Sequence, residues 1–229
     1  TISPLLKNKK TYPAVVVIDE KGNHVISLLS GHLGGANALA KEIADFLGGD
    51  AVITTASDVN DLPAIDLWAR ENNLVIENEK AVPFVAAKLI NEGTLKVHVA
   101  QGPDLKLPKE FVPVDGPGHA DMVITNKIAD GITRRTQLHL RPKNLVIGIG
   151  CNRNTSKDEI EEVLKRVLKE AKLSFHSISS LATIDLKKDE KGLLEFAADN
   201  NLNIEFYSKD ALNQAVSEHK MKSSKIVKA

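Results

Sequence analysis

The stretch Ser27-Leu28-Leu29-Ser30-Gly31-His32-Leu33-Gly34-Gly35-Ala36-Asn37 decides how the chain is read. An apolar strand runs into a glycine-rich turn and at once becomes a helix. Glycine loses more conformational freedom on folding than any other residue, so Gly31, Gly34 and Gly35 between two regular elements indicate backbone that must turn sharply or lie bare against something. N–H groups at the start of the following helix are expected to face outward and suit a carboxylate, a phosphate or an oxyanion. The same residues also make an ordinary strand-to-helix connection with a solvated His32, and spacing alone does not choose between the two.

Outward from this loop the pattern is α/β. Val15 to Ile18 and Val25 to Leu29 are β-branched or apolar runs on either side of Asp19-Glu20-Lys21-Gly22-Asn23, which reads as a hairpin turned at Gly22. After the loop, Leu39, Ile43, Phe46 and Leu47 are expected to share the buried helical face, and Gly48-Gly49 to end the helix. Ala51 to Thr55 reads as the next strand, with Thr54, Thr55, Ser57 and Asp58 at its carboxyl end. Ligands of open α/β sheets gather there, although Ser57, Asp58 and Asp61 also suit turn and cap positions. Leu62, Ile65, Trp68 and Ala69 form a helical stripe, Glu79 to Asn91 a second helix, and Leu95 to Val99 a strand. A loop-rich region from Gly102 to His119 precedes Met122 to Thr125, and Arg134, Arg135, Arg141 and Lys143 read as a basic linker. Asn144 to Gly150 then repeats the strand-to-glycine pattern, and Ser156-Lys157-Asp158-Glu159 has capping-box spacing ahead of Ile160, Val163, Leu164, Val167 and Leu168. Ala182 to Lys187, a helix from Asp189, a strand over Asn203 to Tyr207 and a Ser208-capped helix complete the chain.

The fold class expected is α/β, in two to three small domains of mixed sheets flanked by helices, with segments 1–58, 59–141 and 142–229. Composition sets outer limits on function. In 229 residues, 30 basic side chains balance 30 acidic ones, so no overall charge favours nucleic acid or an anionic membrane. With one tryptophan, two tyrosines and six phenylalanines, base-stacking platforms are hard to assemble. No apolar run approaches the ~20 residues that span a bilayer. The single cysteine, Cys151, has no internal disulfide partner, which fits a reducing cytoplasm. His119 in a Pro-Gly loop reads as solvated, and no ligand spacing resembles a metal cage.

Two blocks carry a family resemblance. S-G-H-L-G-G-A-N at 30–37, with A-V-V-V-I-D-E-K-G before it and V-I-T-T-A-S-D after it, closely resembles the CbiG family of anaerobic cobalamin biosynthesis. L-V-I-G-I-G-C-N-R-N-T-S at 145–156 and L-A-T-I-D-L-K-K-D-E-K-G-L-L at 181–194 are similar to the C-terminal domain of the same family, with Asn154 where the family usually has glycine. The stretch from about 60 to 140 resembles it only loosely. Thr1 is not methionine, and against the family both ends read as truncated.

The resemblance implies hydrolysis of cobalt-precorrin-5A: opening of a δ-lactone on a cobalt corrinoid and release of acetaldehyde, giving cobalt-precorrin-5B. It implies no protein-bound metal or other cofactor, because the cobalt belongs to the substrate. The partner implied is the corrinoid itself, with no nucleic acid and no membrane, leaving room for a homodimer and for transient contact with neighbouring pathway enzymes. Ester cleavage needs an activated water or nucleophile, donors for the oxyanion and a proton for the leaving alkoxide. His32 titrates nearest neutrality and is the expected base, with Ser30 beside it as the alternative nucleophile. Ser30 does not sit in a G-x-S-x-G elbow, so water activated by His32 is the preferred reading. Gly31, Gly34, Gly35, Asn37, Thr54, Thr55 and Asp58 are expected to bind substrate at the first block, and Cys151, Thr155, Thr183, Asp185 and Lys187 at the second. Cys151 is either a nucleophile at a helix N-terminus or a small packed residue. Two rivals remain at this level: a non-catalytic carrier of a corrinoid intermediate, and a nucleotide-binding protein, which lacks the Walker and dinucleotide patterns.

Overall fold

The computed structural model describes residues 12–100, 104–128 and 135–219. These fall into two units, one from Thr1–Thr125 and Gly131–Arg141, the other from Asn126–Asp130 and Pro142–Ala229. The described residues form mixed α/β structure throughout, in three sheets.

The first unit opens with β1 (Val15–Ile18) and β2 (His24–Leu29), an antiparallel hairpin with Gly22 in its turn. Helix α1 (Ala36–Leu47) carries the chain over to β3 (Asp50–Val52), which pairs parallel to β2 and leaves β2 in the middle of the sheet. The helix lies on the sheet through Ala36, Asn37, Ala40 and Ala44, against Val25. Of the expected stripe of large residues only Ile43 packs against this cluster. Phe46 is 87% exposed, and Leu39 and Leu47 are also exposed. Small side chains let a helix lie close against a sheet, and that close approach brings the glycine loop up to the end of β3.

The next part of the unit is a five-stranded sheet in the order β4-β8-β7-β5-β6, made of β4 (Leu74–Ile76), β5 (Leu95–Val99), β6 (Phe111–Pro113), β7 (Met122–Ile124) and β8 (Leu138–Pro142). The pairs β6/β5, β5/β7 and β7/β8 are parallel. Two short helices, α2 (Ala56–Val59) and α3 (Ile65–Glu71), link the two sheets, and α4 (Val82–Glu92) follows β4. Ile65, Trp68 and Ala69 are buried as their stripe predicts, with Trp68 edge-on to Phe111 at 5.0 Å between ring centroids. The basic-linker reading fails at Arg141: it lies within β8, is 3% exposed, and bonds the Glu77 carboxylate and the Thr125 carbonyl. A buried guanidinium needs such partners, and a strand interior supplies them. Arg134 lies outside the described residues.

In the second unit β9 (Leu145–Gly148), β10 (Ile178–Ile184) and β11 (Asn203–Tyr207) form a parallel sheet with β10 central. Its core joins Ile178 and Leu181 to Ile160, Leu164 and Leu168 of α5 (Lys157–Ala171) and to Leu193, Phe196 and Ala197 of α6 (Lys191–Asp199). The Ser156 hydroxyl accepts from the Glu159 N–H and Ser208 caps α7 (Lys209–Glu218), both as their spacing predicts.

Phe111→Ala should remove the partner of the protein's one tryptophan and leave a core cavity, at a cost of about 3–5 kcal/mol. Urea unfolding followed by Trp68 fluorescence measures it.

Candidate functional site

Ser30 leaves β2 in a left-handed conformation (φ 60°), and Gly35 enters α1 in another (φ 84°). Between them the loop closes on itself. The N–H groups of Gly35, Ala36 and Asn37 donate to the carbonyls of His32, Ser30 and Gly31 at 3.0–3.1 Å. Three of the donors that the sequence offers to an anion are thus used within the loop. A side chain on Gly34 would place its Cβ 2.2 Å from Ser30 Oγ, and one on Gly31 would come within 2.6 Å of Asn37 Oδ1. These two glycines are required by packing within the loop, and none of the loop glycines lines the cavity beside His32.

The loop's purpose becomes visible in its side chains. Asn37 is 6% exposed and fully engaged: its Oδ1 accepts from Ser27 Oγ (2.6 Å), and its Nδ2 donates to Thr55 Oγ1 (3.1 Å) and Asp58 Oδ2 (3.0 Å). Asp58 Oδ2 also meets His32 Nε2 at 2.7 Å, and Ser57 Oγ lies 3.3 Å from the same nitrogen. The other ring nitrogen, Nδ1, faces Asp66 Oδ1 at 3.7 Å. Asp66 stands in the first turn of α3, where its Oδ1 accepts the Leu67 N–H at 2.9 Å. Arg70, one turn on, donates to the Leu33 carbonyl at 3.1 Å. A chain of hydrogen bonds therefore runs from β2 through α1 and α2 to His32, whose other ring nitrogen faces α3.

His32, Thr55, Ser57 and Asp66 share the wall of a cavity of about 220 Å³ whose other side is apolar, with Leu62, Ile65, Val82 and Leu89. His32, Asn37, Thr55 and Asp58 come together as the sequence reading expects. Thr54 is exposed and outside the hydrogen-bond chain, and Ser30 packs against Gly34, away from the cavity wall. Asp66 escapes the sequence reading altogether. Its only signal is an acidic residue set between apolar neighbours in the first turn of a helix.

The electrostatics follow from this geometry. The Asp66 carboxylate is the largest influence holding His32 above the ordinary imidazole range; burial opposes it and Asp58 adds to it. His32 in turn holds Asp66 below the usual carboxylate range, against the effect of burial.

The second block forms a separate cleft, in the second unit, of about 620 Å³. Gly148 to Asn152, Thr155 and Lys187 line it together with Ile160, Val163, Leu164 and Val167 of α5. Cys151 is half-buried on this wall. Thr183 is turned to structure, its hydroxyl donating to the Ile149 carbonyl at 2.7 Å, and neither it nor Asp185 lines the cleft. The residue that organises the rim is one the sequence did not mark. Glu190, 3% exposed, accepts from the N–H of Asn154 (2.6 Å), itself left-handed at φ 62°, and from Lys187 Nζ (3.3 Å).

Family models match the chain in three consecutive pieces: cobalamin synthesis G N-terminal over 1–58, cobalamin biosynthesis central region over 63–142, and cobalamin synthesis G C-terminus over 145–229. The chain belongs to the CbiG family. The CbiG match extends through the central stretch, where the sequence resemblance is loose. The cobalt-precorrin-5A hydrolase of Priestia megaterium is 42% identical over 229 residues, which cover 93% of this chain and 61% of that protein. The cobalt-precorrin-5A hydrolase of Salmonella typhimurium strain LT2 is 36% identical over 228 residues, covering 93% and 64%. The chain thus spans a little over three fifths of the length of these two CbiG relatives. No helix among the described residues is long and apolar enough to cross a membrane.

Gly34→Ala should destabilise the first unit through its clash with Ser30, and Ser30→Gly in the same chain should restore part of the loss, because removing the Ser30 side chain removes the closest contacts. Thermal unfolding of the two single variants and the double variant gives the coupling.

The His32 cluster also makes a signed prediction for pH. A histidine held above its ordinary value contributes stability that is complete below about pH 6.5 and is lost as pH rises through the raised value. Asp66 contributes above its ordinary carboxylate value and loses that contribution as pH falls through its lowered one. The urea midpoint, followed by Trp68 fluorescence, should therefore decline on the alkaline side in wild type, and His32→Gln should flatten that decline.

Proposed function

We propose that the chain acts in the hydrolysis of cobalt-precorrin-5A, with His32 as the proton-transfer group that opens the δ-lactone. The supporting observation is an imidazole held between two carboxylates on the wall of a small cavity, in a chain whose CbiG relatives carry that hydrolase name. At about 220 Å³ the cavity lies below the ~300–1,000 Å³ usual for a whole drug-sized ligand, so it receives only the lactone edge of the macrocycle.

In this reading His32 removes a proton from water and the resulting hydroxide adds to the lactone carbonyl. As the tetrahedral intermediate collapses, His32 returns the proton to the departing alkoxide. The new hydroxyl then gives up its proton and its oxygen forms the aldehyde C=O, the C–C bond to the ring breaks with its electron pair passing to the macrocycle, and the bridging carbon with its methyl leaves as acetaldehyde. Because the N–H groups of Gly35, Ala36 and Asn37 are already bonded and no loop glycine lines the cavity, the oxyanion donors are taken from the hydroxyls on the cavity wall. Thr55 Oγ1 accepts from Asn37 and keeps its own O–H to give, and Ser57 lies beside it. The cobalt arrives with the substrate and the protein supplies proton transfer. A cytoplasmic setting fits the single thiol of Cys151. The cleft around Cys151, Thr155 and Lys187 is, on this proposal, a corrinoid-binding surface of the second unit taken by itself.

His32→Ala should lower acetaldehyde release by roughly 10²–10⁴-fold, the usual share of general acid–base catalysis, while corrinoid affinity stays within a few-fold. The measurement is acetaldehyde release set beside corrinoid binding read from the substrate's own absorbance. A wild-type chain that binds the corrinoid and releases no acetaldehyde would instead be a carrier.

A further inference from the structure

We infer that the Asn37–Asp58 pair locks His32 with its proton on Nε2, making Nδ1 the atom that takes and returns the proton, and that Asp66 is a second catalytic residue, holding the attacking water against that nitrogen. This rests on the hydrolase reading above and assigns roles within it.

Asp58 Oδ2 meets Nε2 at 2.7 Å, and a carboxylate oxygen can only accept, so Nε2 must carry a proton there. Asp58 is not free to turn away. The same oxygen accepts from Asn37 Nδ2, and that amide is fixed in the protein interior by Ser27 on one side and Thr55 on the other. In neutral imidazole a proton on Nε2 leaves the lone pair on Nδ1. Nδ1 is the nitrogen that faces Asp66, at a separation too long for a direct hydrogen bond. Two acceptors that far apart do not bond each other directly, and a small opening of the gap admits a water between them. Such a water donates one O–H to Nδ1 and the other to the Asp66 carboxylate, which leaves an oxygen lone pair for the lactone carbonyl.

The step balances. One water proton moves to Nδ1 as the oxygen bonds to the carbonyl carbon. The lactone C–O bond breaks, the alkoxide takes the proton back from Nδ1, and the product acid ionises to solvent. His32 and Asp66 end as they began. The charged groups around the ring are Asp58 on α2, Asp66 on α3, and Arg70, whose guanidinium is turned to the Leu33 carbonyl. Both carboxylates favour imidazolium, which cannot accept a proton. Turnover therefore rises with pH along one limb, at a value above that of a free imidazole.

The test uses the full chain in two arms. In the first, long-range ¹H–¹⁵N spectra of the imidazoles, with His32 assigned among the seven histidines by His32→Gln, are recorded above its titration. The expected result is a neutral ring protonated at Nε2, with the preference weakened in Asp58→Asn. In the second, Asp66→Asn should lower kcat by at least about 10²-fold with KM within a few-fold. It should also move both the pH–rate limb and the His32 titration to lower pH. A neutral ring protonated at Nδ1, or Asp66→Asn with wild-type kcat and an unmoved limb, overturns the assignment. If wild type releases no acetaldehyde at all, the hydrolase reading falls, while the tautomer and the shift of the His32 titration in Asp66→Asn still decide the relay.

Discussion

One buried amide holds the first unit's site together. Asn37 is shut away from water, so each of its polar atoms must find a partner inside the protein or cost about 1–3 kcal/mol. The partners come from three different places: Ser27 on β2, Thr55 at the end of the segment after β3, and Asp58 on α2. Satisfying one side chain therefore fixes β2 and the start of α2, which are distant in sequence, against α1. Gly31 leaves room for that amide, and the alanine face of α1 lets the helix sit close enough for the bonds to form.

The charges around His32 follow from this scaffold. A carboxylate fixed by an amide can hold an imidazole in one orientation, and a second carboxylate from α3 then meets the other ring nitrogen. Two acidic groups on one histidine would be a poor arrangement on an open surface, where solvent screens them and the chain is free to move them apart. Here the ring is partly enclosed and the carboxylates are tied to backbone and amide, so His32 and Asp66 shift each other's proton affinity.

The second unit solves a similar problem with a different group. Glu190 is a nearly buried carboxylate, and it is satisfied by the N–H of a left-handed Asn154 and by Lys187. Lys187 lines the larger cleft and Asn154 sits between its lining residues Asn152 and Thr155, so the charge that organises this wall is one that never lines it. In both units the residues lining the cavity are easier to notice than the buried polar residue that holds them in place.

Sequence alone determined the order of the main elements. The β-branched runs, the glycine stop of α1, the Ser156 cap and the Ile65, Trp68, Ala69 stripe are local signals, and each depends only on neighbours within a few residues. It also brought His32 and Asp58 under suspicion, because a glycine loop and a strand end are both legible from composition. What tertiary structure decided is everything that depends on separation in space. It turned the alanines of α1 inward and left Phe46 outside, since close helix–sheet approach rewards small side chains more than large ones. It buried Arg141 in a strand that read as a linker, because Glu77, distant in sequence, was there to pair with it. It turned the N–H groups of Gly35, Ala36 and Asn37 back into the loop and brought Asp66 to the second nitrogen of His32. A carboxylate becomes part of a site through the direction in which its helix docks, and docking direction is a property of the packed core, not of any short run of residues.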